Sequence, residues 1–177
     1  MISYREITER IKNNNGLVTA LNLLDKAITY ITVLAYVAFL IYGFLQIPED
    51  KGLLLYRSIL IPGVSFIIVS VYRKLLSAPR PYEVYDFAPA LKKDTKGKSF
   101  PSRHVFSIFI VAFTILQVSY GIGALICVLG VILAIVRVIG GVHFIKDVVA
   151  GFFIALIISI ICYGIFCGVF GLLMLPF

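Results

Sequence analysis

Long stretches without charge constrain this chain more than any other feature. Residues 27–47, 105–136 and 148–177 hold no charged side chain, and residues 53–72 hold only Arg57. A helix needs about 20 apolar residues to cross a hydrocarbon layer of roughly 30 Å. Inside that layer a backbone amide must find its partner within the protein, which excludes open sheets and loose coil. The predicted fold class is therefore all-α, a polytopic membrane helical bundle. Residues 105–136 are too many for one span, and Ser119-Tyr120-Gly121-Ile122-Gly123 supplies a tight turn among them. Spans are expected at about 27–47, 53–72, 104–119, 122–137 and from 148 onward, about five transmembrane helices in all. Pro48 to Gly52 reads as a polar turn, Arg57 as a side chain that snorkels to the interface, and Pro62-Gly63 as a kink.

Residues 1–26 are different. They carry Arg5, Glu6, Glu9, Arg10, Lys12, Asp25 and Lys26, with apolar residues at Ile2, Ile7, Ile11, Val18, Leu21, Leu23 and Leu24. An amphipathic segment lying in the interface is expected, broken at Asn13-Asn14-Asn15-Gly16. Were it embedded there would be six spans, and its charges argue against that. The chain thus divides into an N-terminal segment, 1–26, and a transmembrane domain, 27–177. No cleavable signal peptide is recognisable.

Only 14% of the 177 residues are charged, against roughly 25% in a soluble domain. Little mass is left outside the bilayer. The net charge of +7 suits acidic head groups or phosphates, or a general excess of cytoplasmic cations. Binding to nucleic acid is poorly supported, because that charge is tied to very apolar spans. Cys127, Cys162 and Cys167 all fall within apolar runs, lack a metal-ligand spacing and read as packing residues.

Chemistry concentrates in residues 136–147, which read V-R-V-I-G-G-V-H-F-I-K-D. His143 and Asp147 stand four apart, a spacing that shares one face of a helix. The glycine pair before them, Gly140-Gly141, can end a helix and turn the chain back. Arg137 adds a cation for an anion, His143 a nucleophile or base, and Asp147 a carboxylate to orient the ring. Five alternating spans bring the end of span two, the start of span three, the end of span four and the start of span five to one membrane face. The loop 73–101, the segment Phe100-Pro101-Ser102-Arg103-His104 and the Arg137–Asp147 stretch meet there, and with them both histidines of the chain.

Read together, these pieces resemble the type-2 phosphatidic acid phosphatase superfamily, whose pattern is K-x6-R-P, then P-S-G-H, then S-R-x5-H-x3-D. The third piece is Arg137-x5-His143-x3-Asp147, with Val136 at the usual Ser. The second is Pro101-Ser102-Arg103-His104, with Arg103 at the usual Gly. The first ends in Arg80-Pro81. Arg73 stands seven before Arg80 in place of the usual Lys, and Lys74 is one residue too close. The likeness covers roughly residues 53–165.

The resemblance implies a phosphatase in which His143 attacks phosphorus to form a phosphohistidine. Asp147 would hold its tautomer and His104 would protonate the leaving group. Arg73 or Lys74, Arg80, Ser102 and Arg137 would bind phosphoryl oxygens. Arg103 would add a contact to a second phosphate, or to lipid head groups. The family resemblance implies no metal or other cofactor. Phosphatidic acid, phosphatidylglycerol phosphate and undecaprenyl diphosphate all fit as membrane lipid substrates. The competing reading is a non-catalytic lipid-phosphate binder or transport component with degenerate motifs.

A multi-pass protein of the cell membrane is expected. Of 16 Lys and Arg residues only Lys51 and Arg57 fall opposite the site, a count that places the site in the cytoplasm. Family resemblance points the other way, to an outward site.

Overall fold

The computed structural model describes residues 4–45, 52–92 and 95–165. Helix α1 (Tyr4–Lys12) is followed by α2 (Asn15–Leu45), α3 (Gly52–Leu76), the single turn α4 (Pro81–Val84), α5 (Arg103–Leu116), α6 (Tyr120–Ile139) and α7 (Ile145–Ser159). α7 runs on into a π-helical stretch, Ile160–Ile165. The expected polar turn at Pro48, Cys167 and the end of the last apolar run lie outside the described residues.

The Asn-rich break in the N-terminal segment has a local cause. The Asn14 side-chain oxygen accepts the amides of Gly16 at 3.0 Å and Leu17 at 3.2 Å, which caps the helix that begins at Asn15. From there α2 continues without interruption through the first apolar run, so residues 17–26 are its leading turns. α1 lies apart as a short piece with Arg5, Glu9, Arg10 and Lys12 exposed and Thr8 buried. Thr8 packs at the end of α6, its hydroxyl 3.5 Å from the Ile139 carbonyl.

Among the described residues four helices, α2, α3, α6 and α7 with its π-helical continuation, are long and apolar enough to cross a membrane. α5 has 14 residues, about 21 Å, less than a hydrocarbon layer. It does not need that length, because it is the centre of the bundle and packs on α2, α3, α6 and α7. Phe106, Ile108, Ile110 and Ile115 of α5 are all but completely buried against Ile28, Val69, Ile126, Leu133, Val148 and Ala155. The outer helices face the other way: Leu34 of α2 is 68% exposed, Phe44 is 73% and Ile67 of α3 is 63%. Apolar surface on that scale is stable only under lipid.

Three expectations are refined by the packing. The reversal between α5 and α6 is made by Gln117–Ser119, and Gly121 and Gly123 lie inside α6. Pro62 is accommodated within α3. A proline at 62 leaves the carbonyl of Ser58 without its helical donor, and the Tyr36 hydroxyl of α2 donates to that oxygen at 2.6 Å. Arg57 turns inward instead of snorkelling. Its guanidinium donates to the Cys162 carbonyl at 2.5 Å and lies over the Tyr163 ring.

Candidate active site

Everything that positions the site follows from how α6 ends. Gly140 closes the helix and Gly141 adopts φ +77°, a conformation that L side chains rarely hold. The chain then folds back, so that the amides of Val142 and His143 both donate to the Arg137 carbonyl, at 3.2 and 3.3 Å. His143 therefore stands in the connection before α7 and not on its face. Asp147, the third residue of α7, reaches back across the helix N-terminus. The expected pairing forms, by capping geometry and not by shared helical face.

The Asp147 carboxylate is a hub. One oxygen, Oδ2, accepts the Phe144 amide at 3.0 Å and the Ser99 hydroxyl at 2.5 Å, and lies 3.4 Å from Nδ1 of His143. Facing a carboxylate, Nδ1 carries the proton, and Nε2 keeps its lone pair. The backbone carbonyl of Asp147 accepts the Ser102 amide at 2.8 Å and so joins the starts of α5 and α7. That junction depends on Gly151: a Cβ there would fall 2.7 Å from the Ser102 carbonyl oxygen. His143 is 1% exposed. Burial, aided by the charges of Arg80 and Arg137 and opposed by Asp147, pushes its imidazole down to about 4. The ring is neutral at neutral pH.

Around this pair the cations converge. Arg73 is buried at the end of α3 and donates to the carbonyls of Pro101 and Lys98. Arg80 is buried and donates to Gly97 and Val142 at 3.0 Å each, and to Lys98 at 3.4 Å. Glu83 closes the loop below it, accepting the Arg80 amide at 2.8 Å and the Gly97 amide at 2.9 Å. Arg137, 4% exposed, pairs with Asp25 of α2. Arg73 lies within electrostatic reach of Arg80, Arg103, Arg137 and Asp147, and Arg137 within reach of Arg80 and Arg103. Four guanidiniums stand against three carboxylates, those of Asp25, Glu83 and Asp147, a cluster with surplus positive charge suited to an anion.

The remaining residues singled out from sequence divide. Ser102 is fully buried and its hydroxyl has no partner among the described residues. Arg103 is exposed on the first turn of α5, its guanidinium 5.3 Å from the centre of the Phe66 ring. His104 is half-buried and, with Arg103, Phe66, Thr32 and Tyr36, lines a cavity of about 270 Å³ between α2, α3, α5 and α6. Lys74 is exposed and takes no part in the cluster's hydrogen bonds, while Arg73 holds the buried position. Val136, where the pattern has a hydroxyl, packs with Leu91 and Val142.

Sequence reasoning passed over three residues. Ser99 sits 48 positions from the carboxylate it serves, and Asp25 sits 112 from its arginine. Asp25 was detectable in principle, as the lone acidic residue between Glu9 and Glu49 at the head of an apolar run. Glu83 was visible beside Arg80-Pro81 but carries no signal of its loop-closing role.

A comparison with curated proteins finds no match. Among solved structures, the chain is similar to LpxE of Aquifex aeolicus, with 25% identity and a TM-score of 0.61, covering 86% of this chain and 95% of that one. It is also similar to a transmembrane PAP2 type phosphatidylglycerolphosphate phosphatase from Bacillus subtilis, with 23% identity and a TM-score of 0.58, covering 92% and 91%. The second likeness is one of fold alone. The profile of the PAP2 superfamily matches residues 52–168, a stretch that takes in Arg73, Arg80, His104, Arg137, His143 and Asp147 in order; this chain belongs to the PAP2 superfamily.

Proposed function

We propose that this protein is an integral-membrane phosphatase that hydrolyses a lipid phosphate or diphosphate through a phosphohistidine. The observation that carries the reading is the buried, neutral His143 at Asp147 among four converging guanidiniums. The Nε2 lone pair attacks phosphorus while the bond from phosphorus to the lipid oxygen breaks, and His104 delivers a proton to that oxygen. Asp147, itself held by the Ser99 hydroxyl, steadies the ring as it becomes an imidazolium. Water then attacks the phosphohistidine, His104 takes the proton from that water, and the bond from Nε2 to phosphorus breaks to release phosphate. Arg73, Arg80 and Arg137 stabilise the charge on the phosphoryl oxygens, with Ser102 as a further donor. His143, His104 and Asp147 are the catalytic residues of this reading.

The cavity beside His104 favours a lipid over a soluble ester. Val33, Phe66, Ile108, Val111 and Leu133 give it apolar walls from α2, α3, α5 and α6, with His104 and Arg103 on the same lining. A chain seated there would bring its head group to His104. Phosphatidic acid, phosphatidylglycerol phosphate and undecaprenyl diphosphate are the substrates proposed, and the cell membrane is the proposed location.

The test is phosphate release by the detergent-solubilised protein from each of these lipids, with a chelator present. Release that is lost in His143→Ala supports the reading. Binding of the same lipids without release would replace it with the non-catalytic binder.

A further inference from the structure

The Asp25–Arg137 pair joins two parts of the chain with different standing. Arg137 belongs to the motif, whereas Asp25 lies on α2, outside the stretch matched to the family. Nη2 of Arg137 is 2.9 Å from Oδ2 of Asp25 and 2.8 Å from Oδ1. The arginine side chain is 5% exposed and that of Asp25 18%. Another N–H of the same guanidinium is different: Nε of Arg137 is buried and has no acceptor among the described residues. A buried cationic N–H without an acceptor costs free energy unless a ligand supplies one. The Arg137 carbonyl accepts the His143 amide at 3.3 Å, so the arginine is rooted beside the residue that meets phosphorus in the proposed reading.

One turn before Asp25, Asn22 holds the loop that backs the site. Its amide donates to the Ala90 carbonyl at 3.1 Å and its oxygen accepts the Lys92 amide at 3.0 Å. The amides of Ala90 and Leu91 in turn donate to the Gly140 carbonyl, at 3.1 and 3.3 Å. The same stretch of α2 thus grips both the end of α6 and the guanidinium projecting from it.

We infer that Asp25 is a positioning residue for phosphoryl transfer. It holds Nη2 of Arg137 against α2, fixes the plane of the guanidinium, and leaves Nε as a donor for a phosphoryl oxygen. Its negative charge also offsets the mutual repulsion of the arginines when the site is empty. The inference rests on the proposed reading of the site, though its test can be read separately.

The experiment compares Asp25→Ala, Asp25→Asn and Arg137→Lys in the full-length, detergent-solubilised protein. Binding of orthovanadate and inorganic phosphate is measured by calorimetry, alongside turnover of the best lipid substrate. Asp25→Ala is expected to weaken vanadate binding about tenfold and to lower kcat more than it raises KM. Asp25→Asn keeps an oxygen acceptor for Nη2 and is expected to restore most of both. In the Arg137→Lys background, Asp25→Ala is expected to add little further loss. A role confined to folding would lower the active fraction and the melting temperature while leaving vanadate affinity unchanged. Wild-type affinity and kcat in Asp25→Ala, or losses that simply multiply in the double variant, would overturn the inference. If the wild-type protein binds phosphate but releases none from lipids, the phosphatase reading fails while the vanadate comparison still decides the role of Asp25.

Discussion

The two ends of this bundle each hold a buried or half-buried arginine among hydroxyls, and they use it differently. At the end away from the site, Arg57 finds a carbonyl at Cys162 and the face of Tyr163. The Tyr163 hydroxyl pairs with Thr114 at 2.8 Å, and Tyr36 satisfies the carbonyl left by Pro62. That end holds one guanidinium, matched by neutral dipoles that the helices had to spare. At the other end Arg73, Arg80, Arg103 and Arg137 crowd together and repel. Their hydrogen bonds to Gly97, Lys98, Pro101 and Val142 fix where they stand but do not cancel their charge. A satisfied arginine in a membrane protein is a structural tie, whereas an excess of convergent arginines prepares a place for an anion.

The sharpest way to test that contrast is to delete one group at each end. His143→Ala is expected to lower kcat by at least about 10⁴-fold, as loss of a nucleophile does, with little change in melting temperature. Arg57→Leu is expected to do the reverse. It should cost about 1–3 kcal/mol of stability through the orphaned Cys162 carbonyl, read as a lower melting temperature in detergent, with kcat of the folded fraction intact. Loss of kcat in the folded fraction of Arg57→Leu would erase the distinction between the ends.

Arg137→Lys keeps the charge and removes the planar fork. A drop in kcat/KM of about 10²–10³-fold is expected, measured by phosphate release, because one ammonium cannot bond both Asp25 and a phosphoryl oxygen in fixed geometry. Ser99→Ala removes one of the bonds to Asp147 Oδ2. About a tenfold loss in kcat is expected with KM little changed, since a single hydrogen bond to a charged group is at stake.

The smallest effect is on pH dependence. His143 titrates at about 4 in the folded protein against an ordinary value of 6.5. The folded state therefore resists the proton that the unfolded chain takes up, so stability falls as pH drops from 6.5 toward 4. Melting temperatures across that window should decline less steeply in His143→Ala than in wild type. The nucleophile should remain unprotonated until pH nears 4, and an acid limb in kcat/KM near 6.5 that disappears with His143 would contradict the burial described above.

The parts of this molecule that sequence exposes are those where a polar residue stands against an apolar background. His104, Arg137, His143 and Asp147 are conspicuous because apolar runs flank them, and Arg80 because Pro81 follows it. The spans were legible for the same reason, although Asn14 caps α2 well before the apolar run begins. What stayed hidden depends on distance along the chain or on local backbone shape. Ser99 and Asp25 reach their partners only after the bundle closes, and nothing beside them advertises it. The departure of His143 from the helix follows from Gly141 at φ +77°, a conformation that the glycine pair permits but does not dictate. The use of Arg73 on loop carbonyls, with Lys74 left exposed, depends on which face of α3 turns inward, and in so apolar a helix the pattern of side chains hardly marks that face.

The most direct test of the central claim is to look for the covalent intermediate. Solubilised protein would be mixed with phosphatidic acid carrying a radiolabelled phosphate and quenched in alkali, which preserves phosphohistidine. The peptide holding His143 would then be mapped. Label on His143, absent in His143→Ala, is the predicted result. Turnover of the lipid with no label on the protein, or label on any other residue, would contradict it.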